Sequence, residues 1–159
     1  MNTTTLAPVQ LRRILAHVPT SITVIAGVED NHQPLGMVLG SFIGLSLDPP
    51  LLGVSIQHSS TSWPRLRGLE ALGISVLTRD HLAVIPTLSG PVNGRFNNVD
   101  WSAQGTAVHL PHAAAEFTVR LKEEIPTGDH MFAIFEVLDA EEKPAGSPLV
   151  FHSSTVTSL

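Results

Sequence analysis

The hydroxyl side chains best placed to bind an anion are Ser59, Ser60 and Thr61. They come directly before a predicted short helix that has Pro64 in its first turn, and two arginines follow one turn later. Free amide groups and the helix dipole favour an anion at such a position. One of the hydroxyls could instead simply cap the helix. The sequence leaves both roles open.

Two further candidates are single side chains in predicted loops. His130 follows Gly128-Asp129 at the entrance to a strand, and histidine titrates near neutral pH, so it suits proton transfer. Arg95, next to Phe96, lies in the Gly- and Asn-rich stretch SGPVNGRFNNVDW and could pair with a phosphate. Each residue could also have no functional role. His130 could be a surface histidine in a turn, and Arg95 could be a solvated loop arginine.

Residue counts exclude several other chemistries. The chain has no cysteine, so disulfides, thiolate metal sites and cysteine nucleophiles are excluded. His109 and His112 have a spacing that suits a metal, but Pro111 intervenes and no carboxylate motif is near, so we expect no metal site. No Gly-x-Ser-x-Gly sequence supports a serine hydrolase. A formal charge of −5 argues against a nucleic-acid partner, because a phosphate backbone requires a basic face.

Size and hydropathy predict one globular domain over residues 1–159. The chain is 43% apolar and 14% charged, with a mean hydropathy of +0.21, which is enough to bury a core. The high hydropathy indicates that a second subunit or a ligand covers part of the surface. No stretch approaches the roughly 20 apolar residues that span a bilayer, and residues 1–18 lack the order of a signal peptide. We therefore expect a cytoplasmic protein with no membrane partner.

The elements that position these residues are predicted to be mainly strands. Apolar spacing predicts a helix over residues 9–18, ended by Pro19, and another over 80–88, capped by Asp80 and ended before Gly90. Apolar and β-branched runs predict strands over residues 21–28, 35–45, 51–56, 71–77, 116–122, 131–138 and 149–152. Short strands adjacent in sequence favour a small antiparallel barrel over alternating βαβ units.

Asp48-Pro49-Pro50 interrupts an apolar run between two of the predicted strands. Proline donates no backbone hydrogen bond and keeps its predecessor extended, so in sheets it occurs at strand ends, edges and bulges. Residues 46–50 are therefore predicted to form an extended connector across the end of the barrel. Such a stiff edge suits a flat ligand, and the same features describe an ordinary corner between strands.

Taken in order, six motifs resemble the flavin reductase-like family of FMN-binding split barrels. They are GMVLGSFIGLSLDPPLL (36–52), SSTSW (59–63), GISVL (73–77), RFNNVDW (95–101), GDH (128–130) and PLVFH (148–152). The resemblance covers roughly residues 10–152. It implies a mainly β fold with short helices, namely a six-stranded antiparallel Greek-key split barrel. It also implies a homodimer with flavin near the subunit interface, and reduction of FMN or FAD by NADH or NADPH.

The resemblance also implies roles for individual residues. The flavin ring would lie beside the proline corner, at Ser46, Leu47, Asp48 and Pro49. The ribityl and phosphate groups would meet two stretches, Leu39, Gly40 and Ser41 in one and Ser59, Ser60 and Thr61 in the other. Arg95 and Phe96 would border the pocket. His130 would lie near the flavin, where it would position the nicotinamide or supply a proton.

Some positions depart from the usual family pattern. Val38 and Gly40 stand where Thr and Ser are frequent, Gly94 replaces a common acidic residue and Asn98 a frequent Gly. The short tail over 153–159 lacks the usual arginine and aromatic. Each hydrogen bond lost to a charged phosphate would cost roughly 1.5–3 kcal/mol.

Three functions remain open from the sequence. The first is a reductase that uses NAD(P)H to supply reduced FMN or FAD to a monooxygenase partner. In the second, the barrel holds flavin tightly and oxidises or reduces a small organic substrate. In the third, the barrel has lost flavin reduction and binds or transforms a small apolar molecule in the same pocket.

Overall fold

A computed structural model of the chain describes residues 6–144 and 146–159. Three α-helices are present in this part of the chain: α1 (Pro8–Leu15), α2 (Trp63–Leu66) and α3 (Ile85–Leu88). Helix α1 confirms the predicted N-terminal helix but ends earlier, and its apolar side chains are exposed rather than packed on the sheet. The first five residues and Ala145, which belong to the predicted domain, lie outside the described residues.

Twelve strands within the described residues form two antiparallel sheets. Their bounds are β1 Thr20–Ser21, β2 Thr23–Val28, β3 Pro34–Leu39, β4 Ile43–Leu47, β5 Pro50–Gln57, β6 Leu72–Val76, β7 Ser102–Gln104, β8 Ala107–His109, β9 Ala115–Thr127, β10 His130–Glu142, β11 Leu149–His152 and β12 Thr155–Ser158. The nine-stranded sheet has the order β4-β5-β10-β9-β6-β2-β8-β7, with β3 also paired to β2, and β1-β11-β12 form the other. Neither sheet closes on itself, and the predicted mainly β, antiparallel split-barrel class is confirmed.

Strand β2 separates the two apolar clusters that make up the core. Successive side chains of a strand face opposite sides, so Ile25 packs in one cluster with Val54 and Phe135, while Val24 packs in the other. Because both faces of β2 are covered, its sequence is an almost unbroken apolar run rather than an alternating one.

The prediction of one strand over residues 35–45 is wrong, because the chain divides it into β3, paired with β2, and β4, paired with β5. Ser41 lies in the break. Its hydroxyl accepts the N–H of Ser55 and donates to the carbonyl of Ser55, both at 2.9 Å. The side chain thus satisfies backbone groups of β5 that a continuous strand would have paired, which lets the chain pass from one pairing to the next.

The proline corner is tighter than the predicted connector over residues 46–50. Ser46 and Leu47 belong to β4, and Leu47 lies opposite Pro50 at the start of β5. Asp48 and Pro49 alone form the turn, with a cis peptide between them. The prolines therefore end one strand and begin the next, as predicted, in a hairpin at the edge of the larger sheet.

The prediction of one helix over residues 80–88 is also wrong. Residues Arg79–His81 form a 3-10 turn capped by Thr78 rather than by Asp80, and α3 begins separately at Ile85. Pro86 lies in the first turn of α3, where a missing N–H leaves no helical hydrogen bond unmade. The proline thus starts a helix at this position instead of sitting in the interior of a longer one.

Candidate functional site

An open cavity of about 490 Å³ lies among β3, β5, the loop before α2, and the start of β10. It brings together most of the residues predicted for a site, namely Leu39, Gly40, Ser41, Ser59, Ser60, Thr61, Arg95 and His130. We call it the hydroxyl cavity, because serine and threonine side chains make up much of its wall. It lies within the range of 300–1,000 Å³ that is usual for small-molecule sites.

The predicted residues of the proline corner do not line this cavity. Ser46, Leu47, Asp48 and Pro49 lie on the β4–β5 hairpin, and Leu47 is 97% exposed. Phe96 lines a different pocket, whose wall does not include Arg95. The described protomer therefore groups the predicted phosphate and ribityl residues, but not those predicted for the flavin ring.

Ser60 bonds to the start of α2 but is not its N-cap, which is Ser62 and makes no side-chain cap bond. Ser60 Oγ accepts the N–H of Trp63 at 3.2 Å, and Ser59 Oγ lies 3.4 Å from Gln57 Oε1. The predicted contribution of a helix dipole is small, because dipoles add along a helix and α2 spans only Trp63–Leu66. An anion at this loop would need charge from elsewhere.

The two arginines that follow the hydroxyl loop are both paired with carboxylates. Arg65 binds Glu29 and Arg67 binds Glu124. Glu124 also accepts the indole N–H of the buried Trp63 at 2.7 Å, which ties this pair to the core. Neither guanidinium is available as an uncompensated charge.

Arg95 supplies the missing charge. Its Nε donates to the carbonyl of Gly90 at 2.8 Å, and its Nη1 donates to the carbonyl of Gly36 at 3.0 Å and to Ser62 Oγ at 3.1 Å. Within the described parts of the chain, no carboxylate lies within ion-pair distance of it. Arg95 is thus not a freely solvated loop arginine, since neutral partners hold its positive charge at the cavity wall.

His130 is placed by the turn between β9 and β10. Gly128 has a φ of +66°, a conformation that favours glycine, and Asp129 completes the turn. The carboxylate of Asp129 accepts a hydrogen bond from His130 Nδ1 at 2.7 Å, because an ionised carboxylate can only accept. This bond to His130 is also the main reason that the pKa of Asp129 is lowered. Nε2 is left as the ring nitrogen that can exchange a proton with a ligand.

A backbone hydrogen bond joins the His130 turn to the hydroxyl loop. The N–H of His58 donates to the carbonyl of Asp129 at 3.0 Å, and His130 lies opposite Gln57 in the register of β5 and β10. The hydroxyls of residues 59–61 follow immediately along the chain. His130 and the predicted anion-binding loop are therefore held by the same sheet.

Some residues of the cavity wall were not predicted. Ser55 and Gln57 line it from β5, and their alternation in the strand could have indicated a shared face. Ser62 is buried and holds Arg95, a contact between residues distant in sequence that no local pattern signals.

Two other observations concern the described residues only. No group of three or more His, Asp or Glu side chains is arranged to hold a metal, and His109 Nε2 lies 3.2 Å from the carbonyl of Phe117. None of the helices is long and apolar enough to cross a membrane.

The donor set of the hydroxyl cavity fits a flavin nucleotide. Hydroxyls and the uncompensated guanidinium of Arg95 suit a phosphate and a polyol chain, while Val38, Leu39 and Ile56 supply apolar wall. Gly40, which departs from the family pattern, lies where the chain passes close to β1. A Cβ added there would meet Thr20 Oγ1 at 3.1 Å, so a larger residue would be crowded.

Comparison with known proteins decides the family. Residues 15–159 match the family model described as "Flavin reductase like domain". The chain belongs to the flavin reductase-like family. The predicted family is thereby confirmed.

Individual members of the flavin reductase-like family show how far the likeness extends. The chain is 32% identical over 142 residues to an FMN reductase (NADH) of Agrobacterium fabrum, covering 88% of this chain and 79% of that one. It is 30% identical over 131 residues, or 82% of this chain, to the stachydrine N-demethylase reductase subunit of Rhizobium meliloti. It spans 57% of the length of that relative and 42% of another from the same organism.

A solved structure in the family has the same fold. The Streptomyces globisporus NADH:FAD oxidoreductase, in complex with NAD and FAD fragments, superposes with a TM-score of 0.87 at 27% identity. The match covers 95% of this chain and 92% of that one.

Proposed function

We propose that this protein is an NAD(P)H-dependent flavin reductase that supplies reduced FMN or FAD. The observation that carries the proposal is the uncompensated charge of Arg95 on the wall of the hydroxyl cavity, beside the hydroxyls of residues 59–61 and His130. Family membership and relatives named FMN reductase (NADH) and NADH:FAD oxidoreductase support it.

Each group of residues has a defined task in this proposal. Arg95, with Ser59 and Thr61, binds the flavin phosphate, and Ser41 lies along the ribityl chain. Apolar wall residues exclude water from the reacting face. His130, whose Nδ1 is fixed by Asp129, holds or releases a proton at Nε2. A bound flavin would accept the hydride of reduced nicotinamide and pass the electrons on.

The proposal includes a homodimer that covers two exposed apolar surfaces. Helix α1 exposes Val9 (77%) and Leu15 (56%), while β4 exposes Ile43 (51%) and Leu47 (97%). An apolar edge strand is normally covered, because it would otherwise pair with other chains. In such a dimer the β4–β5 hairpin would complete the cavity at the interface, so that Ser46–Pro49 contact the flavin ring.

A flavin-dependent monooxygenase is the proposed consumer of the reduced flavin. One relative is the reductase subunit of a stachydrine N-demethylase, which supports a partner of this kind. We propose that residues 1–159 act as one domain in the cytoplasm, where NAD(P)H is available. The alternative of a barrel that has lost flavin has less support, because much of the cavity wall is polar rather than apolar.

Titration with FMN and riboflavin, followed by turnover with NADH, tests the proposal. We expect saturable FMN binding that is tighter than riboflavin binding, and NADH oxidation that requires added flavin. Leu47→Glu should convert the dimer to a monomer in analytical ultracentrifugation and weaken riboflavin binding, whereas Leu138→Glu, at an exposed leucine of β10, serves as the control. Absence of FMN binding at about millimolar concentration would reject the reductase function.

A further inference from the structure

A second pocket, of about 330 Å³, is lined by Phe96, the residue that follows Arg95 of the hydroxyl cavity. We call it the amide pocket, because its wall contains the side-chain amides of Asn31, Gln33, Asn93 and Asn97. The rings of Phe96 and Trp101 also line the pocket. Trp101 remains 36% exposed, so its ring is accessible to a ligand.

The amide pocket is electrically neutral where the hydroxyl cavity is not. Its arginine, Arg65, makes two hydrogen bonds to Glu29, one of them at 2.9 Å between Nε and Oε1. The bond to Arg65 is the main reason that the pKa of Glu29 is lowered, so this carboxylate remains ionised at neutral pH and cancels the charge. Neutral amides offer both donors and acceptors, and aromatic rings offer a stacking face. This combination suits a nucleoside better than a phosphate.

The two pockets adjoin along one face of β3. This strand contributes Leu35 to the amide pocket and Met37 to the hydroxyl cavity, and side chains two residues apart in a strand face the same side. A Cβ on Gly36, between them, would lie 2.7 Å from the carbonyl of Ile25 and 3.0 Å from Phe96 Cζ, so only glycine fits there. The carbonyl of Gly36 is also a partner of Arg95.

Residues close in sequence also line the two adjoining pockets. Arg95 lines the hydroxyl cavity and the next residue, Phe96, lines the amide pocket. Ser62 and Arg65, at either end of α2, are divided in the same way. A ligand whose phosphate lies at Arg95 therefore has the amide pocket beside that phosphate.

We propose that the amide pocket binds the adenosine end of a dinucleotide whose diphosphate lies at Arg95. The inference rests on the proposed function, since it extends the phosphate site assigned there. FAD carries this adenosine diphosphate group, and its phosphate nearest the flavin is the one already assigned to Arg95. FMN lacks the adenosine and would leave the pocket empty.

The test compares ligands with and without adenosine in two variants, Trp101→Ala and Asn97→Ala. In Trp101→Ala we expect the Kd for FAD to rise about 5- to 100-fold, because one stack between the adenine base and an aromatic ring is lost. The Kd for FMN should stay the same. Gln104→Ala, at an exposed amide of β7, is the control.

Three results separate the inference from the proposed function. Equal loss of FMN and FAD affinity, or no loss of FAD affinity, overturns the amide pocket and leaves the reductase standing. The pocket is supported if ADP binds to the wild type and binds more weakly to Trp101→Ala and Asn97→Ala. This holds even if FMN does not bind and the reductase function fails. If the wild type binds neither ADP nor FMN, both are rejected.

Discussion

Arg95 and Arg65 line adjacent pockets but differ in what neutralises their charge. Arg95 is held by two carbonyls and a hydroxyl, all of them neutral, whereas Arg65 is held by the carboxylate of Glu29. Hydrogen bonds to neutral groups fix a guanidinium without cancelling its charge, while an ion pair does both. The comparison shows that the partners of an arginine decide whether its charge stays uncompensated, whereas its position in a loop or a helix does not.

The largest expected effect comes from removing the uncompensated charge. Arg95→Gln should weaken FMN binding about 10- to 100-fold, since a charged hydrogen bond contributes about 1.5–3 kcal/mol. Riboflavin, which has no phosphate, should bind as before, and fluorescence titration measures both. Arg120→Gln, which removes an exposed arginine of β9 paired with Glu136, is the control. Parallel loss of riboflavin binding would show that Arg95 supports the cavity rather than binding phosphate.

A smaller effect is expected from leaving the charge of Arg65 uncompensated, as that of Arg95 is. Glu29→Gln removes the compensating charge, so ADP should bind up to about fivefold more tightly, in line with the value of an exposed ion pair. The matched variant is Glu136→Gln, which releases Arg120 far from the amide pocket. Quenching of tryptophan fluorescence measures both variants. An equal gain in Glu136→Gln would mean that net charge alone, and not the released arginine, accounts for the change.

The smallest expected effect is the pH dependence of the Glu29–Arg65 pair. Because the folded pKa of Glu29 lies below its usual value of 4.5, the pair adds stability above that value and loses it as the pH falls through the lowered pKa. The contribution should be below about 1 kcal/mol, since both groups are partly exposed. Urea unfolding of wild type and Glu29→Gln should therefore differ slightly at neutral pH and converge in acid. A difference that grows in acid would contradict the assignment.

Sequence patterns predicted the elements that depend on local composition. The strand over 149–152 and the cores of β2, β5, β6, β9 and β10 follow apolar or β-branched runs, and the structure contains each of them. Patterns failed where pairing between strands distant in sequence decides whether a strand forms or ends. The break between β3 and β4 depends on Ser41 binding Ser55, and the short strands β7, β8 and β12 exist because neighbouring strands pair with them.

The same division applies to the candidate site. Hydroxyls in a row and a Gly-Asp-His turn are visible in the sequence, and the structure brings both to one cavity. Whether each arginine is paired with a carboxylate is not visible in the sequence, because its partners come from distant or unpatterned positions. The partners of Arg95 are Gly36, Ser62 and Gly90, and the partner of Arg65 is Glu29. The motif resemblance pointed to Arg95, but it gave no reason for the exposure of Leu47 in a single protomer.

The hydrogen bond from His58 to the carbonyl of Asp129 has an evolutionary consequence. It joins two backbone groups, so no exchange of side chains on either residue, short of proline at position 58, can delete it. Substitutions in the hydroxyl loop therefore leave this link to the His130 turn in place. A lineage can change the side chains of the loop while it inherits the backbone link unchanged.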